Sequence, residues 1–419
     1  MKRGLKALFL GAALAFCGGA LAQPPSDYPA IMADAQAAFE AEDWAMLAER
    51  LDAAQAIRPF SLYLTRNRIL ARSLLGEYEE AAALARTIAD RGLSLSLTGH
   101  AGFNALASRP EFAGVAERMA ANLTPSGNAF LWREYKDDAL LPETIAFGAR
   151  GREAFVGSVR TGKILRFSED KEAPEGFAFA PGGVYALAVS GKVVWAAANT
   201  GAPFERASAP TSAAVYAYGL RDGVLANRYV VDDAGAVLGA LAATPFGLVA
   251  SDSGAPRLFI LRKEGERLEI FSTDPRYVNL QGVAYDETRG KLFVADYLAG
   301  VFSVDMKSGA GTLLANDADA HLGGVDGLYA YKGDLIGIQN GTTPQRIVRL
   351  RLSGAGDAVD QLDVLQQNLA EWNEPTNGAI IGDKLIYVAT SNWPAYNDDG
   401  SDTEGARREP LRLMSLDLD

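Results

Sequence analysis

Six times the chain repeats a strand, a tight turn and a second strand, and this recurrence constrains its fold more than any other feature. Aligned on the first strand, the copies open Glu143-Thr-Ile-Ala, Tyr185-Ala-Leu-Ala, Gly239-Ala-Leu-Ala, Gln281-Gly-Val-Ala, Asp326-Gly-Leu-Tyr and Asn377-Gly-Ala-Ile. Their second strands are Ala154-Phe-Val-Gly, Val194-Trp-Ala-Ala, Leu248-Val-Ala-Ser, Leu292-Phe-Val-Ala, Leu335-Ile-Gly-Ile and Leu385-Ile-Tyr-Val. The copy at 321–352 shows the plan most fully. Val325-Asp326-Gly327 opens a strand, Lys332-Gly333-Asp334 turns it, and the strand at 335–338 runs into a polar Gln339-Asn340-Gly341 loop before a third strand at 347–352. Alternating apolar residues bounded by Gly, Asp and Asn mark short antiparallel strands. Copies begin about 40–55 residues apart, the length of a four-stranded propeller blade. Six blades close a ring and leave no long sheet edge exposed. The spacing predicts a mainly β, six-bladed propeller over 129–419.

Upstream the period changes. Residues 26–123 carry Ala-, Leu- and Glu-rich segments with helical spacing, broken at Glu42-Asp43, Arg58-Pro59, Gly76, Gly92 and Arg109-Pro110. Trp44, Tyr78 and Phe112 stand 34 residues apart, and Leu47, Ala81 and Val115 follow at the same period. That period, with Leu75-Gly-Glu-Tyr-Glu-Glu-Ala81 as an inter-helix turn, resembles tetratricopeptide repeats. Such an array implies either a protein-partner groove along the Trp44/Tyr78 face or a helical cap on the propeller. Residues 124–128 are the linker.

Residues 1–22 have the form of a cleaved secretion signal. Lys2, Arg3 and Lys6 precede an apolar run at 8–16, and Ala20-Leu-Ala22 is a small-residue cleavage site. The run is too short to span a bilayer, so no transmembrane segment is expected in the mature chain. A lipoprotein signal at Leu14-Ala-Phe-Cys17 is the alternative, although Phe is a poor residue before the lipidated Cys. Cys17 is the only cysteine, so the mature protein is expected to carry no disulfide in a periplasmic or secreted location. The formal charge of −12 becomes about −15 once three positive charges leave with the signal. With that balance and no basic stripe, nucleic acid is not an expected partner.

The chemistry is expected where the inner strands open. Propeller geometry collects Glu143, Tyr185, Gly239, Gln281, Asp326 and Asn377 around the axis, beside Ser158, Asn199, Asp252, Asp296, Asn340 and Asn392-Trp393 at the ends of the second strands. Two carboxylates and two amides converging on one axis supply oxygen ligands of the kind that hold Ca²⁺, or less selectively Mn²⁺ or Mg²⁺. Without a cation, Glu143 and Asp326 repel, and one pKa must rise. The same polar groups serve equally well to bind channel water. Other schemes lack their residues. The mature chain has no cysteine and only His100 and His321 to offer zinc, no Gly-x-Ser-x-Gly elbow, and no phosphate-cradling loop between strand and helix.

Pro142-Glu143, the Asp326-Gly327 strand opening and the Phe293-Val-Ala-Asp296 strand end resemble the gluconolactonase/regucalcin group, which sits with the paraoxonase- and strictosidine-synthase-like propellers. The resemblance extends over 129–419 in repeat layout. It implies a divalent cation on the axis that polarises a lactone carbonyl and activates water, with Glu143 and Asp326 among its ligands. The family's middle-blade Asn is Gln281 here, and its third-blade position is Gly239, for which Asn377 is the substitute ligand. The expected metal set is therefore Glu143, Gln281, Asp326 and Asn377. Asp326 is expected to take the proton, or else His321, five residues before it, through a water unless it is a plain loop histidine; Asn199, Tyr297, Asn340 and Trp393 are the expected contacts of the lactone or ester substrate. The Asp-, Gly- and Ser-rich excursion at 394–410 is expected as a mobile loop on the same face, either a lid or a disordered surface excursion. The rival expectation is a non-catalytic periplasmic scaffold or ligand-binding protein, which the fold serves equally well.

Overall fold

The computed structural model describes residues 27–137, 139–148 and 151–419; the expected signal at 1–22, with Cys17, lies outside them. Among the described residues, six helices precede an all-β region. They are α1 (Tyr28–Glu40), α2 (Trp44–Ile57), α3 (Leu62–Leu75), α4 (Tyr78–Asp90), α5 (Ala101–Ala107) and α6 (Pro110–Ala121). The Asp43 carboxylate caps α2 by accepting from the Met46 N–H, the Ser61 hydroxyl caps α3, and Gly76 ends α3 with φ 80°. The 34-residue period is visible in the elements: Trp44 opens α2 and Tyr78 opens α4, while Leu47, Ala81 and Val115 are buried in a core of the helices' own. What the structure supports is a set of helices at that spacing, the third pair shortened by the single two-turn α5.

The six recurrences are six sheets, each with its own inner strand. The inner strands are β2 (Pro142–Phe147), β6 (Gly183–Ser190), β10 (Leu238–Thr244), β14 (Leu280–Asp286), β19 (Val325–Tyr331) and β23 (Gly378–Ile381). Blades 1 to 5 are built from consecutive strands, blade 5 with one extra parallel strand on its outer edge. Blade 6 takes its outermost strand from the start of the domain. β1 (Phe130–Tyr135) pairs antiparallel with β25 (Leu411–Asp417), joining the two ends of the ring.

Second strands are nearly continuous apolar runs because both of their faces are covered. In Leu292-Phe-Val-Ala295, Leu292 and Val294 pack towards blade 3, while Phe293 and Ala295 pack towards blade 5. Every pair of neighbouring blades shares such a core, including blades 6 and 1.

The helices dock on the face where the inner strands begin, over blades 4 and 5. The Phe60 N–H donates to the Leu298 carbonyl at 2.9 Å and the Ser94 N–H to that of Thr343 at 2.6 Å. Arg91 pairs with Asp319, and the Gln367 amide donates to the Thr124 carbonyl at 2.8 Å. Opposite them, the excursion after β24 (Lys384–Val388) is folded down rather than projecting. Arg160 of blade 1 stacks on Tyr396 and donates to the carbonyls of Gly400 and Pro203, tying blade 6 to blades 1 and 2. The mouth of the axis is thus flanked on both sides.

Candidate functional site

One local device places the axial side chains. In five blades the pairing of inner and second strand is irregular next to the strand opening: between Pro142 and Thr144, Val184 and Ala186, Leu238 and Leu241, Leu280 and Val283, and Val325 and Gly327. The residues left out of register include Glu143, Tyr185, Gly239, Gln281 and Asp326. A bulge of this kind re-aims a side chain out of the regular alternation. Asn377 stands in the same place immediately before β23.

The structure brings most of the expected residues together. Glu143 is buried, 6% exposed, and its Oε2 accepts from the Trp393 indole N–H at 2.6 Å. The Asn377 amide reaches Glu143 Oε1 at 3.5 Å, and its oxygen accepts from the Tyr329 hydroxyl at 3.4 Å. Asp326 Oδ2 accepts from the Asn340 amide at 2.9 Å, and Asn340 Oδ1 accepts from the Tyr297 hydroxyl at 3.0 Å. Tyr185 and Trp393 form an aromatic wall, with ring centroids 6.2 Å apart.

A third acid joins them that the repeat alignment does not contain. Glu374 lies in the loop entering blade 6 with φ 57°, a left-handed conformation unusual for a residue other than Gly and more so before a proline. Backbone held this way is a marker of functional sites. The three acids share one electrostatic problem. Burial pushes Glu143 well above the carboxylate range, reinforced by the charges of Asp326 and Glu374 against the pull of Trp393. Burial raises Asp326 to about 6, the Asn340 amide pulling the other way. Burial and then the Asp326 charge raise Glu374 to about 7. Among the described residues none of the three acids is in an ion pair. Burial and the same charges push Tyr185, Tyr297 and Tyr329 upward, so all three stay neutral phenols.

Other expected residues have different work. Asn199 is 3% exposed and bonds the Leu238 backbone twice, donating to its carbonyl at 3.0 Å and accepting from its N–H at 2.9 Å. It straps blade 2 to blade 3. Gln281 turns sideways: its amide donates to Asn279 at 2.7 Å, and its oxygen lies 3.2 Å from where a β-carbon on Gly239 would stand. His321 is 2% exposed and packed edge-on against Phe60 at 5.2 Å, and among the described residues its Nε2 has no hydrogen-bond partner. Burial, with Arg346 and Arg91 nearby, lowers it to about 3, so it is a neutral packing residue in the docking interface. Asp296 accepts from four backbone N–H groups, of Val278, Asn279, Leu298 and Ala299, and Asp252 accepts from three and from Arg257. Both are clamps on the loops entering their own blades.

Oxygen donors without a neutralising base are the set a hard cation takes. Among the described residues no three His, Cys, Asp or Glu side chains lie close enough to hold an ion by themselves, so an amide oxygen such as that of Asn377 must complete any such shell. The Asn377 oxygen holds only one long hydrogen bond, from the Tyr329 hydroxyl at 3.4 Å, so a lone pair is left for that role.

No protein-family model and no curated protein matches the chain. Among solved structures it is similar to a Thermus thermophilus protein described as an oxidoreductase (glucose dehydrogenase), at 18% identity and a TM-score of 0.49, covering 70% of this chain and 100% of the other. It is also similar to an Agrobacterium tumefaciens regucalcin described as a calcium-binding protein, at 16% identity and a TM-score of 0.48, covering 68% and 93%. A luciferin-regenerating enzyme matches at 12% identity and a TM-score of 0.47, covering 70% and 96%. The chain is a six-bladed propeller whose structural neighbours include a regucalcin, and its chemistry rests on its own residues.

Proposed function

We propose that the axial face is a hydrolytic centre that opens a lactone or cleaves a small ester with the help of a divalent cation, calcium first, with manganese or magnesium as alternatives. One observation carries this reading: burial raises Glu143, Asp326 and Glu374, and the Asp326 charge raises both glutamates further, with no ion-pair partner among the described residues, and the neighbours of Glu143 and Asp326 are neutral hydrogen-bond donors. Glu143, Asp326 and Asn377 would hold the cation, with Glu374 adding charge from the loop. Gln281, turned towards blade 3, falls outside that set. When bound, such a cation polarises a carbonyl oxygen and lowers the pKa of water.

The remaining work belongs to the side chains. Asn340 fixes Oδ2 of Asp326 and leaves Oδ1 as the atom that would accept a proton. Trp393 fixes Glu143, and with Tyr185 it gives the substrate an apolar wall. Tyr297 and Tyr329 present hydroxyls that stay protonated. The same reading takes residues 1–22 as a cleaved signal, so that the enzyme works in the periplasm or outside the cell.

The test is thermal unfolding of the mature protein with chelator or with excess calcium, manganese or magnesium, for wild type and Glu143→Gln. A ligand that binds only the native state raises the midpoint by mass action. A rise that Glu143→Gln abolishes, followed by lactone or ester turnover that Asp326→Asn removes, supports the proposal. No shift with any cation, together with an Asp326→Asn protein indistinguishable from wild type, leaves the non-catalytic scaffold in its place.

A further inference from the structure

We infer that the helical domain buttresses the axial site from behind its loops, and that Phe60 is the residue through which it positions the Tyr297–Asn340–Asp326 chain. Tyr297 and Asn340 both stand on loops, and loops hold a geometry only as well as their neighbours do. Here the neighbours are helical. The Phe60 N–H donates to the Leu298 carbonyl, directly after Tyr297, at 2.9 Å. A β-carbon on Gly323 would stand 2.4 Å from that of Phe60 and 2.9 Å from the Tyr297 carbonyl oxygen, so the 323–324 backbone is pressed between the helical domain and the Tyr297 loop. That backbone continues the contact. The Gly324 N–H donates to the Tyr297 carbonyl at 2.8 Å, and the Gly341 N–H, next to Asn340, donates to the Gly324 carbonyl at 3.2 Å.

The loop of Asn340 is held from its other end as well. The Ser94 N–H donates to the Thr343 carbonyl at 2.6 Å, and Arg346 donates both to the Arg91 carbonyl at 3.0 Å and to the Gln339 side chain at 2.7 Å. Asn340 therefore lies between two attachments that both come from the helical domain. Its amide in turn sets the orientation of Asp326, and its oxygen is set by the Tyr297 hydroxyl. Phe60 touches neither acid. It is a positioning residue, and the inference stands whether or not the axis is hydrolytic.

The side-chain amide of Asn340 gives the readout. In the full mature chain labelled with ¹⁵N-asparagine, its resonances are identified by their loss in Asn340→Asp. Phe60→Ala is expected to shift or broaden them and Phe60→Leu to restore them. Phe103→Leu, which loosens the buried core of the helices away from the docking contacts, is expected to lower the unfolding midpoint and leave them in place. A folded Phe60→Ala protein with wild-type Asn340 resonances, or equal displacement by Phe103→Leu, overturns the inference. Where Phe60→Ala fails to fold, Ser94→Pro removes the N–H that holds Thr343: displaced resonances support the inference, and unmoved ones overturn it.

Discussion

Glu374→Gln is expected to stabilise the cation-free protein, and to do so only as the pH rises. Glu374 is pushed from 4.5 to about 7 by burial and by the charge of Asp326. Unfolding returns it to the ordinary value. Between about pH 4.5 and pH 7 the native state therefore binds more protons than the unfolded state, and stability falls as pH rises through that window. At about 1.4 kcal/mol per pH unit the full span is worth about 3 kcal/mol. Solvent screening of a half-buried group brings this to roughly 1–3 kcal/mol. Glutamine keeps the shape and removes the charge, so its advantage is near zero at about pH 4.5 and complete by about pH 8. The assay is thermal unfolding in chelator across that range, comparing midpoint differences because a chain with two cores is not assumed to unfold in two states. At roughly 1 °C per kcal/mol for a chain of this size, the variant should melt about 1–3 °C above wild type at the alkaline end and match it at the acid end. Saturating calcium should shrink the difference, since a cation relieves the repulsion that glutamine removes. An advantage as large at about pH 4.5, or a loss at about pH 8, would refute the reasoning that Glu374 is an unneutralised acid within reach of the Asp326 charge.

Two further predictions separate fold residues from site residues. His321, lowered to about 3, binds fewer protons native than unfolded between about pH 3 and 6.5, so its contribution is lost as pH falls. At about pH 5 that loss is roughly 2 kcal/mol, and His321→Leu should flatten this acid limb of the midpoint profile while leaving cation affinity unchanged. Asn199→Ala, which leaves the Leu238 N–H and carbonyl unpaired between blades, should cost about 2–3 kcal/mol by the unfolding midpoint with no change in cation affinity. A selective loss of cation affinity would return Asn199 to the site.

The ring was legible because its determinants are local. Alternating apolar residues and Gly-Asp turns define each hairpin, and the same turn chemistry recurs at a blade's length. The axial positions were legible for a related reason: the bulge that aims Glu143 and Asp326 recurs at one place in the strand, so aligning openings aligned the site. What failed depended on where a side chain points. An Asn at a strand end reads the same whether it meets solvent or, like Asn199, the backbone of the next blade. His321 is five residues from Asp326, yet the left-handed turn at Gly324 separates them and leaves its ring against Phe60. Glu374 fell outside the alignment because it belongs to an entering loop. The signal available was its place in Asn373-Glu374-Pro375, a charged residue held against a proline just before the sixth opening. The docking of the helices had no local signature, since Phe60 after Arg58-Pro59 is an ordinary apolar residue between two helices until the propeller stands beside it.

Two sets of repeat-equivalent polar positions separate what this fold needs from what it carries. At the ends of the second strands stand Ser158, Asn199, Asp252, Asp296 and Gln339, four residue types in five blades, but each is spent on backbone groups of an entering loop or of the next blade. Buried polar atoms there must be paired, and the pairs hold the ring together. At the bulges, Glu143, Tyr185, Gly239, Gln281 and Asp326 differ as widely, and only some are spent on pairing. Glu143 and Asp326 meet like charge across the axis, where the fold would be better served by the neutral residues that blades 2 and 3 already use. A chain that places a buried acid and a half-buried one at equivalent positions, adds a third from a left-handed loop, and fastens helices over the loops that orient one of them has a destabilised centre. Such strain is the expected mark of a site maintained for a ligand rather than for the ring. The titration of Glu374→Gln against wild type measures how much of that strain is present before any ligand is known.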